Sequence, residues 1–210
     1  MPSGNALAFI DNHDTQRNGH VLNFFDPRPY KMAVSFMLSW PYGFPRVMSG
    51  FWWERNFQNG HDNNYWHGAP HDENYNILPV TINSDGTCGN GWTCEHRWRQ
   101  IAHMSKFRGV VGDTDVNNWW DDGNNQIAFS RGDRGFYAVN GDSSKDMDVW
   151  LQIGMAIGTY CDVISGDITE DKKSCTGSSI KIETDGKTNI KISKSAEDPM
   201  IAFHVDSKLD

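Results

Sequence analysis

Ala6-Leu7-Ala8-Phe9-Ile10 runs directly into Asp11-Asn12-His13-Asp14-Thr15-Gln16-Arg17. Five consecutive apolar residues closed by polar ones are the pattern of a short strand buried on both faces, with its polar residues gathered at the C-terminal end. From Pro29 to Trp40 the period changes: Tyr30, Ala33, Val34, Met37 and Leu38 recur at helical spacing, Pro29 suits a first helical turn and Pro41 a stop. Gly43 to Met48 offers a second strand, weakened by Pro45, which has no N–H for a ladder. Ser49 to Cys94 is rich in Gly, Asn, Asp, Trp and His without a sustained period and reads as a long irregular loop. A second helix is expected from about Glu95 to Val110, with Trp98, Ile101, Ala102 and Ser105 on one stripe. Strand, helix, strand, loop, helix implies a parallel α/β arrangement.

After Gly112 the period falls to two, which marks a candidate domain boundary and leaves 210 − 112 = 98 residues. Ile127 and Phe129, Phe136 and Ala138, Val149 and Leu151, Ile180 and Ile182, Ile190 and Ile192, and Ile201, Phe203 and Val205 each alternate with their neighbours. Asp122-Gly123, Asp133-Arg134-Gly135 and Asp185-Gly186 supply turns between several of them. Short antiparallel strands spaced this way predict an all-β unit over residues 113–210, a sandwich or a Greek-key barrel.

Composition narrows the function classes. The 210 residues are 38% hydrophobic and 12% aromatic, enough to bury a core. No apolar run approaches the ~18 residues of a membrane helix. With 27 acidic against 19 basic residues the net charge is −8, which repels phosphate backbones, so neither a membrane nor a nucleic acid is an expected partner. The four cysteines fall as two local pairs, Cys88 with Cys94 and Cys161 with Cys175. They are compatible with two small disulfide loops, or with a zinc site drawing on the 8 histidines, although their spacings do not match the usual zinc-ligand separations. Met1-Pro2-Ser3-Gly4-Asn5 is not an export signal, leaving a cytosolic protein with free thiols or a natural start far upstream of Met1 as the alternatives. A complete TIM barrel needs roughly 250 residues, so this length cannot hold one together with a second domain.

In a parallel barrel the C-terminal strand ends face the active site, which would put Asn12, His13 and Asp14 where substrate binds. Taken singly, Asp14 reads as a turn or cap residue, His13 as a hydrogen-bonded structural histidine and Arg46 as half of an ordinary salt bridge. Together, Phe9-Ile10-Asp11-Asn12-His13-Asp14-Thr15-Gln16-Arg17 resembles the fourth conserved region of the alpha-amylase family. Tyr30 to Val34, Pro41 to Ser49, Cys94 to Ile101 and Tyr160 to Gly166 are similar to animal-type alpha-amylases in the same order.

That resemblance implies an α/β plus all-β chain made of the end of the catalytic (β/α)8 TIM barrel, strands seven and eight with their helices, over residues 1–112, followed by domain C, an antiparallel Greek-key β-sandwich, over 113–210. It implies retaining endo-hydrolysis of alpha-1,4-glucans such as starch and glycogen, for which a nucleophile and an acid about 5 Å apart are required. Asp14 matches the third carboxylate, which holds sugar hydroxyls beside the scissile bond, and His13 matches the histidine that binds the same sugar. Asn12 and Arg46 match two chloride ligands, leaving the chloride site incomplete. The nucleophile, the general acid, the third chloride ligand and the calcium ligands would all precede Met1, as would the signal peptide of a secreted, monomeric enzyme. The chain alone is then expected to be inactive and to hold no metal. Arg17 passes through Asn18-Gly19-His20 straight to Val21, without a longer glycine-rich loop, which resembles arthropod or other invertebrate members. His20 has no assignable role. Trp52, Trp53 and Trp66 are candidates for stacking on sugar rings. The alternative function is a non-catalytic carbohydrate-binding or interaction module.

Overall fold

The computed structural model describes residues 1–17 and 21–210. Strand β1 (Leu7–Ala8) pairs in parallel with β2 (Phe44–Pro45), and helix α1 (Pro27–Ser39) connects them. The amides of Phe44 and Arg46 donate to the Ala6 and Ala8 carbonyls, both at 2.8 Å, so the residue between them makes no ladder bond and Pro45 fits without loss. The expected burial of this strand on both faces is not found. Leu7 and Phe9 stay 51% and 42% exposed, because β1 has a single neighbour and no sheet continues beyond it among the described residues.

The long segment after β2 is mostly irregular. Its regular element is a tight hairpin, β3 (Phe57–Gln58) against β4 (His61–Asp62), turned by Asn59 and Gly60 with φ of 52° and 80°. The second helix begins later than its apolar stripe suggests. Glu95–Arg97 form a 3-10 turn, Trp98 is non-helical, and α2 runs from Arg99 to Val111, ending at Gly112 with φ 56°.

Eight strands follow. β5 (Val116–Asp121), β6 (Gln126–Arg131), β7 (Gly135–Asn140) and β12 (Met200–His204) form one antiparallel sheet in the order β12-β7-β6-β5. β8 (Met147–Gln152) pairs with β11 (Lys187–Ile192), and β9 (Gly158–Cys161) with β10 (Ser179–Ile182), all antiparallel. Every predicted strand is present. β5 and β9 escaped the sequence reading: β5 is bulged between Asn117 and Trp120, and β9 contains one large apolar side chain, Tyr160.

The central sheet is covered on both faces, unlike one wall of a two-layer sandwich. Along β7 and β12, alternate residues part company. Tyr137, Val139, Met200 and Ala202 join Phe129 in a core with Tyr30, Val34 and Leu38 of α1 and Ile101, Met104 and Phe107 of α2. Phe136, Ala138, Ile201 and Phe203 join Ala128 in a second core with Met147, Leu151, Ile182, Ile190 and Ile192. The apolar packing therefore runs across residue 112 without interruption. Polar links reinforce it: Ser35 Oγ meets Tyr137 Oη at 2.8 Å, Arg28 donates to the Ala196 and Lys194 carbonyls, and Lys31 pairs with Asp198.

Both cysteine pairs are disulfides, Cys88–Cys94 and Cys161–Cys175, with no free cysteine among the described residues, which disposes of the zinc alternative. No helix is long and apolar enough to cross a membrane among the described residues.

Candidate active-site turn and its buried base

Just beyond the C-terminal end of β1 the chain reverses. The Asn12 side-chain Oδ1 accepts the amides of Asp14 and Thr15, each at 2.9 Å, while Thr15 Oγ1 accepts the Asn12 amide at 2.9 Å. Reciprocal capping leads into the 3-10 turn Thr15–Arg17 and pushes the two intervening side chains outward. His13 and Asp14 side chains are each 82% exposed, with His13 Nε2 and Asp14 Oδ1 3.6 Å apart. Arg46 follows β2 at the same end of the strand pair and is exposed. The structure thus brings Asn12, His13, Asp14 and Arg46 to one end of the parallel pair.

Beneath the turn lies a buried polar cluster that the sequence did not reveal. Asp11, Gln16 and Glu95 are at most 3% exposed. Gln16 Nε2 donates to Asp11 Oδ2 at 2.8 Å and to Glu95 Oε1 at 3.2 Å, Tyr30 Oη donates to Asp11 Oδ1 at 3.0 Å, and the Gly50 amide donates to Glu95 Oε2 at 2.6 Å. Burial pushes the Asp11 carboxyl upward from its usual range. Burial does the same to Glu95, against the opposing Gly50 bond and with a further push from the charge of Asp11. Burial, with the negative charge of Asp11 next, raises the Tyr30 hydroxyl far above its ordinary value.

Arg17 fixes the far side of the turn. Its guanidinium lies 4.1 Å from the Trp53 ring centroid and 4.8 Å from that of Phe51, and donates to the Tyr65 and His67 carbonyls at 2.8 and 2.7 Å. Trp53 itself is 1% exposed and donates its indole N–H to Asp62 Oδ2, so it is a core residue and offers no face to a sugar. Trp52 and Trp66, 59% and 68% exposed, remain open to solvent. His20 lies outside the described residues, as does the shortened 18–20 segment on which the invertebrate resemblance rests.

Asn12 Oδ1 is engaged by two amides, and the exposed Arg46 side chain enters no hydrogen bond or ion pair among the described residues. No group of three His, Cys, Asp or Glu side chains assembles into a metal-holding arrangement among the described residues.

The β half of the chain matches a family model described as "Alpha amylase, C-terminal all-beta domain". Residues 117–206 match an alpha-amylase C-terminal domain. The likeness to alpha-amylases extends through the helical half as well. An alpha-amylase of Oryzias latipes is 54% identical over all of this chain, and alpha-amylase 2B of Homo sapiens is 55% identical over the same extent. Wild-type alpha-amylase I of Eisenia fetida superposes on 95% of the chain with a TM-score of 0.84 at 38% identity. A maltohexaose complex of a mutant of that earthworm enzyme matches equally well. The chain spans 41% of the length of each of these alpha-amylases.

Proposed function

We propose that this chain is the strand-seven-to-C-terminus part of a secreted, monomeric alpha-amylase of the short-loop type found in arthropods and other invertebrates, a retaining endo-hydrolase of alpha-1,4-glucans such as starch and glycogen. The observation that carries the reading is identity of 54–55% to alpha-amylases across the whole 210 residues, on both sides of residue 112. The earthworm relative's complex with maltohexaose supports the substrate class. On this reading residues 1–112 belong to the catalytic barrel and 113–210 are domain C.

Asp14 is the third carboxylate. Its exposure at the strand ends suits a group that takes hydrogen bonds from sugar hydroxyls, and such bonds act on rate when they tighten as the ring flattens toward the oxocarbenium-like transition state. His13, beside it, offers one ring N–H and one ring lone pair to the same sugar. Asn12 and Arg46 would hold chloride, which when bound supplies a fixed negative charge that favours the protonated form of a nearby acid. Calcium would be held by parts of the enzyme other than these residues.

A single carboxylate cannot serve as nucleophile and proton donor at once, so the 210-residue chain by itself is expected to release no reducing sugar from starch. Assay of the purified chain beside its Asp14→Asn variant tests this; release above the variant would overturn the proposed division of catalytic labour. Retention of the chain on insoluble starch would instead favour a carbohydrate-binding module.

A further inference from the structure

The buried cluster under the turn has no place in the proposed chemistry, yet its geometry ties directly to Asp14. We propose that Glu95 is a positioning residue for the Asn12–Asp14 turn, acting through the Gln16 carboxamide. The inference rests on the reading of Asp14 as substrate-facing.

Gln16 Nε2 reaches both Asp11 and Glu95, so residues on either side of the turn, 11 and 16, are fastened to one point. Four residues held between two such posts have little freedom left, and the Asn12 cap removes more. Glu95 is the outer post. It is fully buried, and it is aimed inward by its neighbour Cys94, whose left-handed φ of 52° and disulfide to Cys88 set the direction of the chain. Gly50 closes the clamp: its amide holds Glu95 Oε2, and a Cβ there would stand 2.8 Å from Glu95 Oε1 and 3.1 Å from Gln16 Oε1.

The groups facing Glu95 are Asp11, Gln16 and the Gly50 amide, with Tyr30 behind Asp11; none is a cation. A buried carboxyl without a cation is a poor stability device, and an apolar side chain would serve packing better. What a carboxyl adds here is directional: two acceptor oxygens that fix Gln16 and Gly50 at once.

The test uses the protein at the length of its alpha-amylase relatives, with hydrolysis of a maltooligosaccharide as readout. Glu95→Leu and Gln16→Leu should each lower kcat about tenfold or more with KM within about threefold, since a displaced Asp14 loses transition-state contact before ground-state binding. The double variant should be no worse than the worse single one, as expected for residues acting in series. Glu95→Gln, which keeps one acceptor oxygen but sets an NH2 against either the Gly50 amide or Gln16 Nε2, should fall between the parent and Glu95→Leu in kcat. A kcat for Glu95→Leu within threefold of the parent, or losses that multiply in the double variant, would overturn the proposal.

Asp14→Asn is the control for the underlying reading. Should it leave hydrolysis intact, the site assignment fails, and amide exchange in the 210-residue chain decides the positioning role alone. There Glu95→Leu should speed exchange at Asp14 and Thr15 at least tenfold while Val139 and Ala202 are unchanged. Uniform acceleration, or none at Asp14 and Thr15, would overturn it.

Discussion

The Arg131 guanidinium, with no exposed surface, donates to the carbonyl of Ser39 at 2.5 Å, so the end of the inner strand β6 caps the last residue of α1 across 92 positions of sequence. The same side chain donates from Nε to the Thr114 carbonyl and from Nη2 to the Gly112 carbonyl. One residue therefore satisfies three carbonyls at the junction of the helical and β halves, including a helix-end acceptor that has no intrahelical donor.

Arg131→Met should accordingly cost about 3 kcal/mol or more, because it leaves three carbonyls at the junction without their donor. Urea unfolding of parent and variant checks this, and the helical and β signals should shift together. Loss of helical signal alone at the parent's β midpoint would show that the halves unfold separately.

Acid should weaken the fold partly through His204. Burial, with Lys106 nearby, holds its imidazole down to about 4 from an ordinary 6.5. Between those values the unfolded chain binds a proton that the folded one does not, so this group's contribution falls as pH drops from 6.5 toward 4, by up to about 1.4 kcal/mol per pH unit. Asp11 and Glu95, whose carboxyls are raised, act in the opposite sense: their contribution is fullest below the ordinary carboxylate range and is lost as pH rises through their folded values. Thermal unfolding of His204→Gln between pH 7 and pH 5 should therefore show a shallower acid loss than the parent; an unchanged slope would exclude His204 as the proton site.

Removing the Cys161–Cys175 disulfide, which closes a separation of 14 residues, should destabilise by about 3 kcal/mol on loop-entropy grounds. Removing Cys88–Cys94, with a separation of 6, should cost about 2 kcal/mol, yet it is the one expected to disturb the turn, because Cys94 precedes Glu95. Paired Cys→Ala variants in chemical denaturation give the order of the two costs.

Arg17→Ala should release the 65–67 segment. The guanidinium binds the Tyr65 and His67 carbonyls while lying over Trp53 and Phe51, and the side chains of Tyr65 and Trp66 are exposed. Chymotryptic cleavage near Tyr65 and Trp66 should accelerate severalfold while cleavage in the β half stays constant.

The β half was legible because period two survives in a strand whatever covers it. Ile127, Phe136 and Ile201 announced β6, β7 and β12. Their neighbours Ala128, Tyr137 and Ala202 are buried too, on the opposite face or beside α1 and α2, and nothing in a single strand's pattern says what will lie on its second side. The same limit explains Leu7 and Phe9: an apolar run predicts burial only where the covering elements are present. His13, Asp14, Asn12 and Arg46 are singled out as a proposed site by family resemblance alone, since a turn residue and a substrate-binding one look alike in isolation. Asp11, Gln16 and Glu95 were not legible, because their meeting depends on a contact 79 residues apart in the chain.

The most direct test of the account is kcat for maltooligosaccharide hydrolysis by the protein at the length of its alpha-amylase relatives, with Asp14 replaced by Asn. A side chain that stabilises only the transition state predicts a fall of about 10²-fold or more with KM little changed. A kcat within threefold of the parent would contradict the placement of Asp14 at the reacting sugar.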